Sequence, residues 1–344
     1  MSHVTLYRKY RPNDFSEILG QQHITESLQS IITSGNIAHA YMFAGSRGTG
    51  KTSTARVFAR ALGTADVDIH EIDAASQRRV EDMREFITEV GTRPMMSQYK
   101  VYIFDEVHML TKESANTFLK TLEEPPAHVI FILCTTDLDK VLDTIISRCQ
   151  THIFKQPDIE TITNMLISGA VSEGYTLEKP AAQLIATYAR GAFRDGWGYL
   201  EKILTHATPG QTISDELVRG VLDTGAKPSL LILQALHEKN LPSILGILHE
   251  TEISGGDTVM LLDTIIHHIR IVMMMRFAPA VATDMTAHMD ETTRQVLTSY
   301  ASEQKNIFNS GVLLELLQAK HLTERSGAIA AELAFIDILS KLEQ

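Results

Sequence analysis

Residues 45–52 read Gly-Ser-Arg-Gly-Thr-Gly-Lys-Thr, and they stand between a short apolar run at 40–44 and a helix-forming segment at 53–62. A strand, a glycine-rich loop and a helix in that order are typical of a phosphate-binding loop. The glycines let the backbone curl so that its N–H groups point at phosphate oxygens, and the helix N-terminus favours the same anion. This pattern predicts that Lys51 reaches the β- and γ-phosphates of a nucleotide and that the Thr52 hydroxyl ligates Mg²⁺.

Composition limits the class of protein. A chain of 344 residues predicts two or three domains, and a net charge of −11 argues against a surface that coats nucleic acid non-specifically. The two cysteines, Cys134 and Cys149, have no spacing typical of a disulfide framework or a zinc site. The sequence has no apolar run of the roughly 20 residues that a membrane span needs, and no signal-peptide pattern at its start. We therefore expect a cytoplasmic protein without a membrane partner.

The pattern of apolar residues changes along the chain. Up to Phe154, strand-like segments alternate with helical ones, and the runs 101–104 and 129–134 are apolar throughout, which is typical of parallel strands buried on both faces. A helix is predicted over 16–34. After Pro157 only helical patterns occur, and no strand is predicted. The predicted fold is a parallel sheet with helices on both faces in domain 1–154, followed by a small helical domain at 155–208 and a larger all-α domain at 209–344.

Polar residues follow the two apolar runs. Asp105 and Glu106 come directly after 101–104, at the sheet edge where ligands of such folds bind. Asp105 is expected to hold Mg²⁺, usually through water, and Glu106 to polarise the attacking water; the alternative is a solvated acidic turn. Thr135 and Thr136 follow 129–134, where a hydroxyl is suited to sense the γ-phosphate or orient the water. Backbone capping is the alternative for these two threonines.

Two arginines have patterns suited to a nucleotide. Arg148 follows a short predicted helix at the edge of the first domain, from which it is expected to reach a neighbouring subunit's γ-phosphate in trans. Arg194 opens a helix of the small domain and is predicted to fold over the nucleotide. A surface ion pair of Arg194 with Asp195 or Glu201 is the alternative.

With these residues in view, the chain resembles the gamma/tau subunit family of bacterial DNA polymerase III, the ATPase of the sliding-clamp loader, in the AAA+ class. The segments that carry the resemblance are 7–12, 20–21, 45–52, 71–76, 105–110, 119–126 and 147–149. The resemblance is dense over about residues 4–154 and continues weakly through 191–195.

The resemblance implies a fold, partners and residue roles. The domains would be an AAA+ ATPase domain, a lid and a collar that joins delta- and delta-prime-like subunits in a pentamer, which loads a sliding clamp on primer–template DNA. The chain would hydrolyse ATP with Mg²⁺ without being the polymerising subunit. Thr136, with Thr135 one residue away, matches the first sensor, Arg148 the arginine finger and Arg194 the second sensor. The residues expected to contact ATP are Arg11, Pro12, Gly45, Ser46, Gly48, Thr49, Gly50, Lys51, Thr52, Ser53 and Arg194.

One family feature is missing, and one interface is inferred. Residues 62–66 run straight through the place where gamma/tau subunits usually carry a four-cysteine zinc module, so we expect no zinc. Arg78 and Arg79 lead into a helix that faces the central channel in such ATPases, and they are predicted to contact DNA phosphates; a solvated helix is the alternative. The competing functions are another AAA+ DNA-remodelling ATPase such as a helicase loader or branch-migration motor, a non-hydrolysing structural subunit, and a nucleotide kinase.

Overall fold

The computed structural model describes residues 4–76, 80–208, 210–222, 226–254, 256–286, 289, 291–303 and 306–342. The chain divides into two compact units, Met1–Asp215 and Glu216–Gln344. The predicted boundary between domains 1–154 and 155–208 falls inside the first unit, and the three-part division stays a prediction.

A sheet of five parallel strands organises the first unit. The strands are β1 (Ala40–Ala44), β2 (Ile69–Asp73), β3 (Lys100–Asp105), β4 (Val129–Thr135) and β5 (Gln150–Ile153). They lie in the order β2-β3-β4-β1-β5, so β1 and the loop after it are flanked by β4 and β5. Ala44 at the end of β1 is opposite Thr135 at the end of β4. The carboxyl ends of β1, β3 and β4 therefore share one sheet edge.

Successive side chains of a strand are buried on opposite faces of the sheet. In β4, Phe131 and Leu133 join the core on one face, where they pack with Phe118, whereas Ile130 and Ile132 join the core on the other face. Every residue of β4 is buried, which explains why its sequence shows an unbroken apolar run rather than alternation. The predicted parallel sheet with helices on both faces is confirmed.

Nine helices of the first unit lie within the described residues. They are α1 (Leu6–Lys9), α2 (Gln22–Ser34), α3 (Lys51–Ala61), α4 (Val80–Val90), α5 (Lys112–Glu123), α6 (Asp143–Ile146), α7 (Ile159–Ser172), α8 (Lys179–Ala189) and α9 (Phe193–Leu204). The single helix predicted over 16–34 is wrong at its start. A 3₁₀ turn at Phe15–Glu17 precedes α2, and Gly20 between them has φ +69°, a left-handed conformation that interrupts a helix.

The prediction of no strand after Pro157 is also wrong. β6 (Thr176–Leu177) and β7 (Thr212–Ile213) form a small parallel pair at the end of the first unit. Each strand has two residues, which is too short for an alternating pattern to appear in the sequence.

In the second unit, every regular element within the described residues is a helix. The helices are α10 (Asp215–Leu222), α11 (Ala226–His237), α12 (Leu241–Ile253), α13 (Thr258–Phe277), α14 (Pro279–Thr286), α15 (Glu291–Ser302), α16 (Ser310–Ser326) and α17 (Ala328–Leu342). Helix α13 is the one described helix whose length and apolar composition would suffice to span a membrane. It contributes Leu262, Ile265, Ile269 and other buried side chains to the core of this unit, which accounts for its composition.

Candidate active site

The glycine-rich loop joins β1 to α3. Gly48 and Gly50 have φ values of +76° and +96°, in the left-handed region that favours glycine, and α3 begins directly afterwards at Lys51. No side chain caps this helix at Gly50, so its first N–H groups are not engaged by a capping side chain. These N–H groups and the helix dipole make the loop suited to bind a phosphate group.

Lys51 is buried under this loop. Its Nζ donates hydrogen bonds to the carbonyl oxygens of Gly45, at 2.8 Å, and Ser46, at 2.9 Å. The Thr49 hydroxyl donates to the same Ser46 carbonyl at 2.9 Å. Burial lowers the pKa of Lys51 from its usual value, against an opposing effect of nearby Asp105. The loop carbonyls thus hold the ammonium group against the loop that the sequence predicted to bind phosphate.

The two predicted Mg²⁺ ligands contact each other. Thr52 Oγ1 on α3 donates a hydrogen bond to Asp105 Oδ2 at the end of β3, at 3.1 Å. Burial raises the pKa of Asp105, and the neighbouring Glu106 raises it further. A hydroxyl and a carboxylate are oxygen ligands of the type Mg²⁺ prefers. The half-buried carboxylate would gain a counter-charge from a bound cation, so these residues fit the metal.

Three neighbouring groups hold Glu106 in place: a threonine hydroxyl, the backbone N–H of the same threonine and a histidine ring. Its Oε2 accepts hydrogen bonds from Thr136 Oγ1, at 2.9 Å, and from the Thr136 backbone N–H, at 3.3 Å. His108 Nδ1 lies 3.3 Å from the same oxygen and 3.0 Å from Thr135 Oγ1. Thr135 donates its hydroxyl to the Asp137 carbonyl instead. Of the two threonines that the sequence left open, Thr136 is therefore the one that contacts the acidic residue.

One cleft gathers most of the predicted nucleotide contacts. The predicted residues that line it are Arg11, Pro12, Gly48, Thr49, Gly50, Lys51, Thr52, Ser53, Asp105, Glu106 and Arg194. Gly45 and Ser46 do not line it but hold Lys51, and Thr136 acts on it through Glu106.

Helix α9 closes the cleft from one side. The backbone N–H of Phe193, its first residue, donates a hydrogen bond to the Gly48 carbonyl at 2.9 Å. Arg194 follows, with its guanidinium 5.7 Å from the centre of the Tyr7 ring. The segment around α9 therefore contacts the phosphate loop directly.

Arg148 lies outside this cleft. It is exposed, and its Nη2 donates to Glu123 Oε1 at the end of α5, at 2.5 Å. It therefore makes no contact with the nucleotide site of its own chain within the described residues. The predicted DNA contacts Arg78 and Arg79 lie outside the described residues.

Sequence reasoning missed several cleft residues. Tyr7, Tyr10, Ile18, Leu19, Met165, Phe193 and Trp197 also line it, and His108 contacts Glu106. Tyr7, Tyr10, Phe193 and His108 stood in segments that the sequence had singled out, and the others resemble ordinary core or surface residues. No group of three or more His, Cys, Asp or Glu side chains suited to a metal occurs in the part of the chain that the structure describes.

A phosphate loop after β1, an acidic pair after β3, a polar residue after β4 and a helical segment over the cleft define a P-loop nucleotide-binding protein of the AAA+ class. The fold is similar to that of the RuvB Holliday junction branch migration motor of Thermotoga maritima, with a TM-score of 0.54 and 19% identity, covering 72% of this chain and 86% of that one. A family profile described as "DNA polymerase III, delta subunit" matches residues 64–158.

Sequence relatives identify the family more closely. The chain is 33% identical to DNA polymerase III subunit tau of Bacillus subtilis over 99% of its length and 67% of the relative's. It is 36% identical to DNA polymerase III subunit tau of Escherichia coli over 83% of its length. The chain belongs to the DNA polymerase III subunit gamma/tau family. It spans about half, 48%, of the length of the Escherichia coli relative.

Proposed function

We propose that this chain is the ATP-hydrolysing motor subunit of a DNA polymerase III clamp loader, which loads a ring-shaped sliding clamp onto primer–template DNA. The observation that carries the proposal is the single cleft in which Lys51, Thr52, Asp105 and Glu106 meet. A cytoplasmic location follows from this role and is part of the proposal. The chain would not be the polymerising subunit.

Five residues of the site have proposed roles toward ATP. The N–H groups at the start of α3 and the Lys51 ammonium bind the β- and γ-phosphates, and Thr52 and Asp105 hold Mg²⁺. When bound, Mg²⁺ neutralises negative charge on the phosphate oxygens. Glu106 polarises the attacking water, and Thr136 orients its carboxylate through the 2.9 Å hydrogen bond.

The first experiment measures ATP hydrolysis with and without a ring clamp and primed DNA. Stimulation by both is expected, and Lys51→Ala should abolish ATP binding because it removes the buried cation beside the loop. Absence of turnover in the presence of clamp and DNA would contradict the proposal and favour the non-hydrolysing structural subunit.

Arg148 is proposed to act in trans. Its exposure and its position outside the cleft of its own chain support contact with a neighbouring subunit's γ-phosphate, where an arginine is worth about 10³-fold or more in rate. Arg148→Ala should leave ATP binding unchanged and slow turnover about 10³-fold in the assembled complex. Arg60→Ala is the matched control, because Arg60 is similarly exposed and also pairs with a carboxylate, Asp66. Equal turnover in the two variants would contradict the role in trans.

The second unit is proposed to join subunits in a pentamer with delta- and delta-prime-like partners. Apolar side chains exposed on α16 and α17 support this role, since such residues often mark protein interfaces. They are Leu314, Leu317, Leu322, Ile329, Leu333 and Ile336. Replacing Leu317 and Leu333 together by Glu should prevent assembly without affecting ATP binding. Leu231→Glu, at an exposed position on α11, is the control, and assembly by the double variant would contradict the proposal.

Contact with DNA through Arg78 and Arg79 stays a prediction from the sequence. Replacing both by Ala should weaken primer–template binding and flatten the salt dependence, by about 0.9 in the log–log slope for each phosphate that the protein no longer neutralises. An unchanged slope would remove these residues from the interface.

A further inference from the structure

The N-terminal segment Leu6–Pro12, called the arm here, is held against α9 by an aromatic stack. The rings of Tyr10 and Trp197 lie with their centroids 4.7 Å apart and their planes 12° from parallel. Trp197 is buried and is the only tryptophan of the chain. Because both rings also line the nucleotide cleft, the stack connects the arm to α9 at the edge of the site.

A glycine on α7 makes room for this tryptophan. A Cβ atom at Gly169 would lie 2.3 Å from Trp197 Cζ3 and 2.4 Å from its Cη2, which is far closer than side chains can approach. Glycine inside a helix is less favourable than alanine. The indole ring fills the space that this glycine leaves, so Gly169 and Trp197 form a matched pair.

Helix α7 also holds the arm by a second contact. Glu173, which ends this helix one turn after Gly169, accepts a hydrogen bond from Lys9 Nζ at 2.7 Å and another from the Tyr10 hydroxyl. Two consecutive residues of the arm are therefore fixed by α7 and α9. The next residue of the arm is Arg11.

Arg11 is placed by this arrangement at the cleft. It is half-buried and lines the cleft beside Pro12, and within the described residues no hydrogen bond or ion pair engages its guanidinium group. Burial lowers the pKa of Arg11, and the nearby Arg56 and Arg194 lower it further, whereas Glu71 opposes them. A polar or anionic group of a ligand would give this cation a partner.

We propose that Trp197 is a positioning residue for nucleotide binding: seated in the Gly169 notch and stacked on Tyr10, it holds the arm so that Arg11 and Pro12 contact the end of the nucleotide remote from the γ-phosphate. The inference rests on the proposed function, because it assumes that the cleft binds a nucleotide. Neither ring of the stack belongs to the phosphate loop, whose Lys51 is held by the loop's own carbonyl oxygens. The arm therefore adds affinity for the nucleoside part and not for the phosphate chain.

The test compares two glycines of the same region. Gly169→Ala would force the end of the indole ring out of its notch, whereas Gly198→Ala changes an exposed position on α9 with nothing within 4 Å of the new Cβ. In the full chain, Gly169→Ala should raise the Kd for ADP with Mg²⁺ about two- to twelvefold, since stacked aromatic pairs contribute energy of that order. The Kd for tripolyphosphate should not change, and Gly198→Ala should bind both ligands like the wild type.

Variants of the stack itself separate positioning from folding. Trp197→Leu should weaken ADP binding as Gly169→Ala does, and Trp197→Phe should restore most of the affinity because it keeps a ring on Tyr10. Tyr10→Leu removes both the stack and the hydrogen bond to Glu173 from the arm while Trp197 stays in place, and it should also shift the emission of Trp197. This variant keeps the inference testable if changes at Gly169 prevent folding.

The outcomes distinguish the inference from the proposed function. Wild-type ADP affinity in Gly169→Ala, Trp197→Leu and Tyr10→Leu would overturn the inference alone. An equal loss of affinity for ADP and tripolyphosphate would also overturn it, because it would show general damage to the site. A wild-type chain that binds neither ligand would refute the proposed function and the inference with it.

Discussion

Replacing Gly48 by alanine tests whether the segment around α9 is held by direct contact with the phosphate loop. At this position φ is +76°, and a Cβ atom would lie 2.7 Å from Ala192 Cβ and 3.1 Å from Ala192 Cα. Because one of these contacts is with backbone, the clash cannot be relieved by rotation of a side chain. Gly50→Ala is the matched control, since φ there is +96° and a new Cβ has nothing within 4 Å.

Both variants incur the free-energy cost of a left-handed backbone, and Gly48→Ala alone also incurs a cost of overpacking. A left-handed conformation costs a non-glycine residue roughly 1–2 kcal/mol, which both variants incur. Overpacking against Ala192 adds about 1–3 kcal/mol in Gly48→Ala alone. For a unit of this size, Tm falls by about 2–4 °C for each kcal/mol. We therefore expect Tm to fall by about 2–8 °C for Gly50→Ala and by about 4–20 °C for Gly48→Ala.

Thermal unfolding followed by tryptophan fluorescence is the assay, because Trp197 is the only tryptophan and lies in the first unit. Ala192→Gly in the Gly48→Ala background should recover part of the difference, since it removes the nearest atom of the clash. Ala192 is the N-cap of α9, where glycine is tolerated better than alanine, so the rescue adds little cost of its own. Equal Tm values for the two glycine variants, or no recovery, would refute the reasoning.

Three further predictions follow from buried and half-buried polar groups. Burial raises the pKa of the Asp105 carboxyl, so the native state loses stability as pH rises above the ordinary pKa of 3.8. Asp105→Asn should therefore raise Tm at pH 7 and raise it less near pH 4. An equal gain in Tm at both pH values would contradict this. Burial raises the pKa of Cys149 to about 12 and that of Cys134 well above its usual value, so neither thiol should react with iodoacetamide at pH 8 until the chain unfolds. Asp68 accepts three backbone N–H bonds from 95–97, at 2.6–2.9 Å, and Asp68→Ala should cost about 3 kcal/mol and expose that loop to limited proteolysis.

The sequence predicted those features of the fold and the site that are determined by a local pattern of residues. The run 129–134 is apolar throughout because successive side chains of β4 enter two different cores, and such a run indicates a central parallel strand. The loop at 45–52 was predicted because its glycines, lysine and threonine act within eight residues of each other. Asp105 was placed beside Thr52 by the same logic, since parallel strands end at one sheet edge.

The sequence could not predict features that depend on distant neighbours. The helix expected over 16–34 is interrupted at Gly20, where Pro157 and Thr161 pack within 4 Å of the position a Cβ would take. In the sequence, apolar residues flank Trp197 at helical spacing, as they flank any core residue of a helix. Its role in the cleft depends on Gly169, 28 positions earlier, and on Tyr10, 187 positions earlier. A local sequence pattern gives no information about which residues pair over such distances along the chain.

The cleft combines segments that are separated along the chain. The phosphate loop contacts α9 through the Gly48 carbonyl, and the arm contacts α9 through Trp197, so α9 is tied to both ends of the site. Glu106 follows β3 and Thr136 follows β4, so the residues proposed to act in hydrolysis are attached to the sheet and not to the covering helix. A bound nucleotide would therefore change the position of α9 relative to the sheet more readily than it would change the hydrolytic residues. If Arg148 acts in trans as proposed, completion of the site requires a second subunit, and occupancy of the site is linked to contact between subunits.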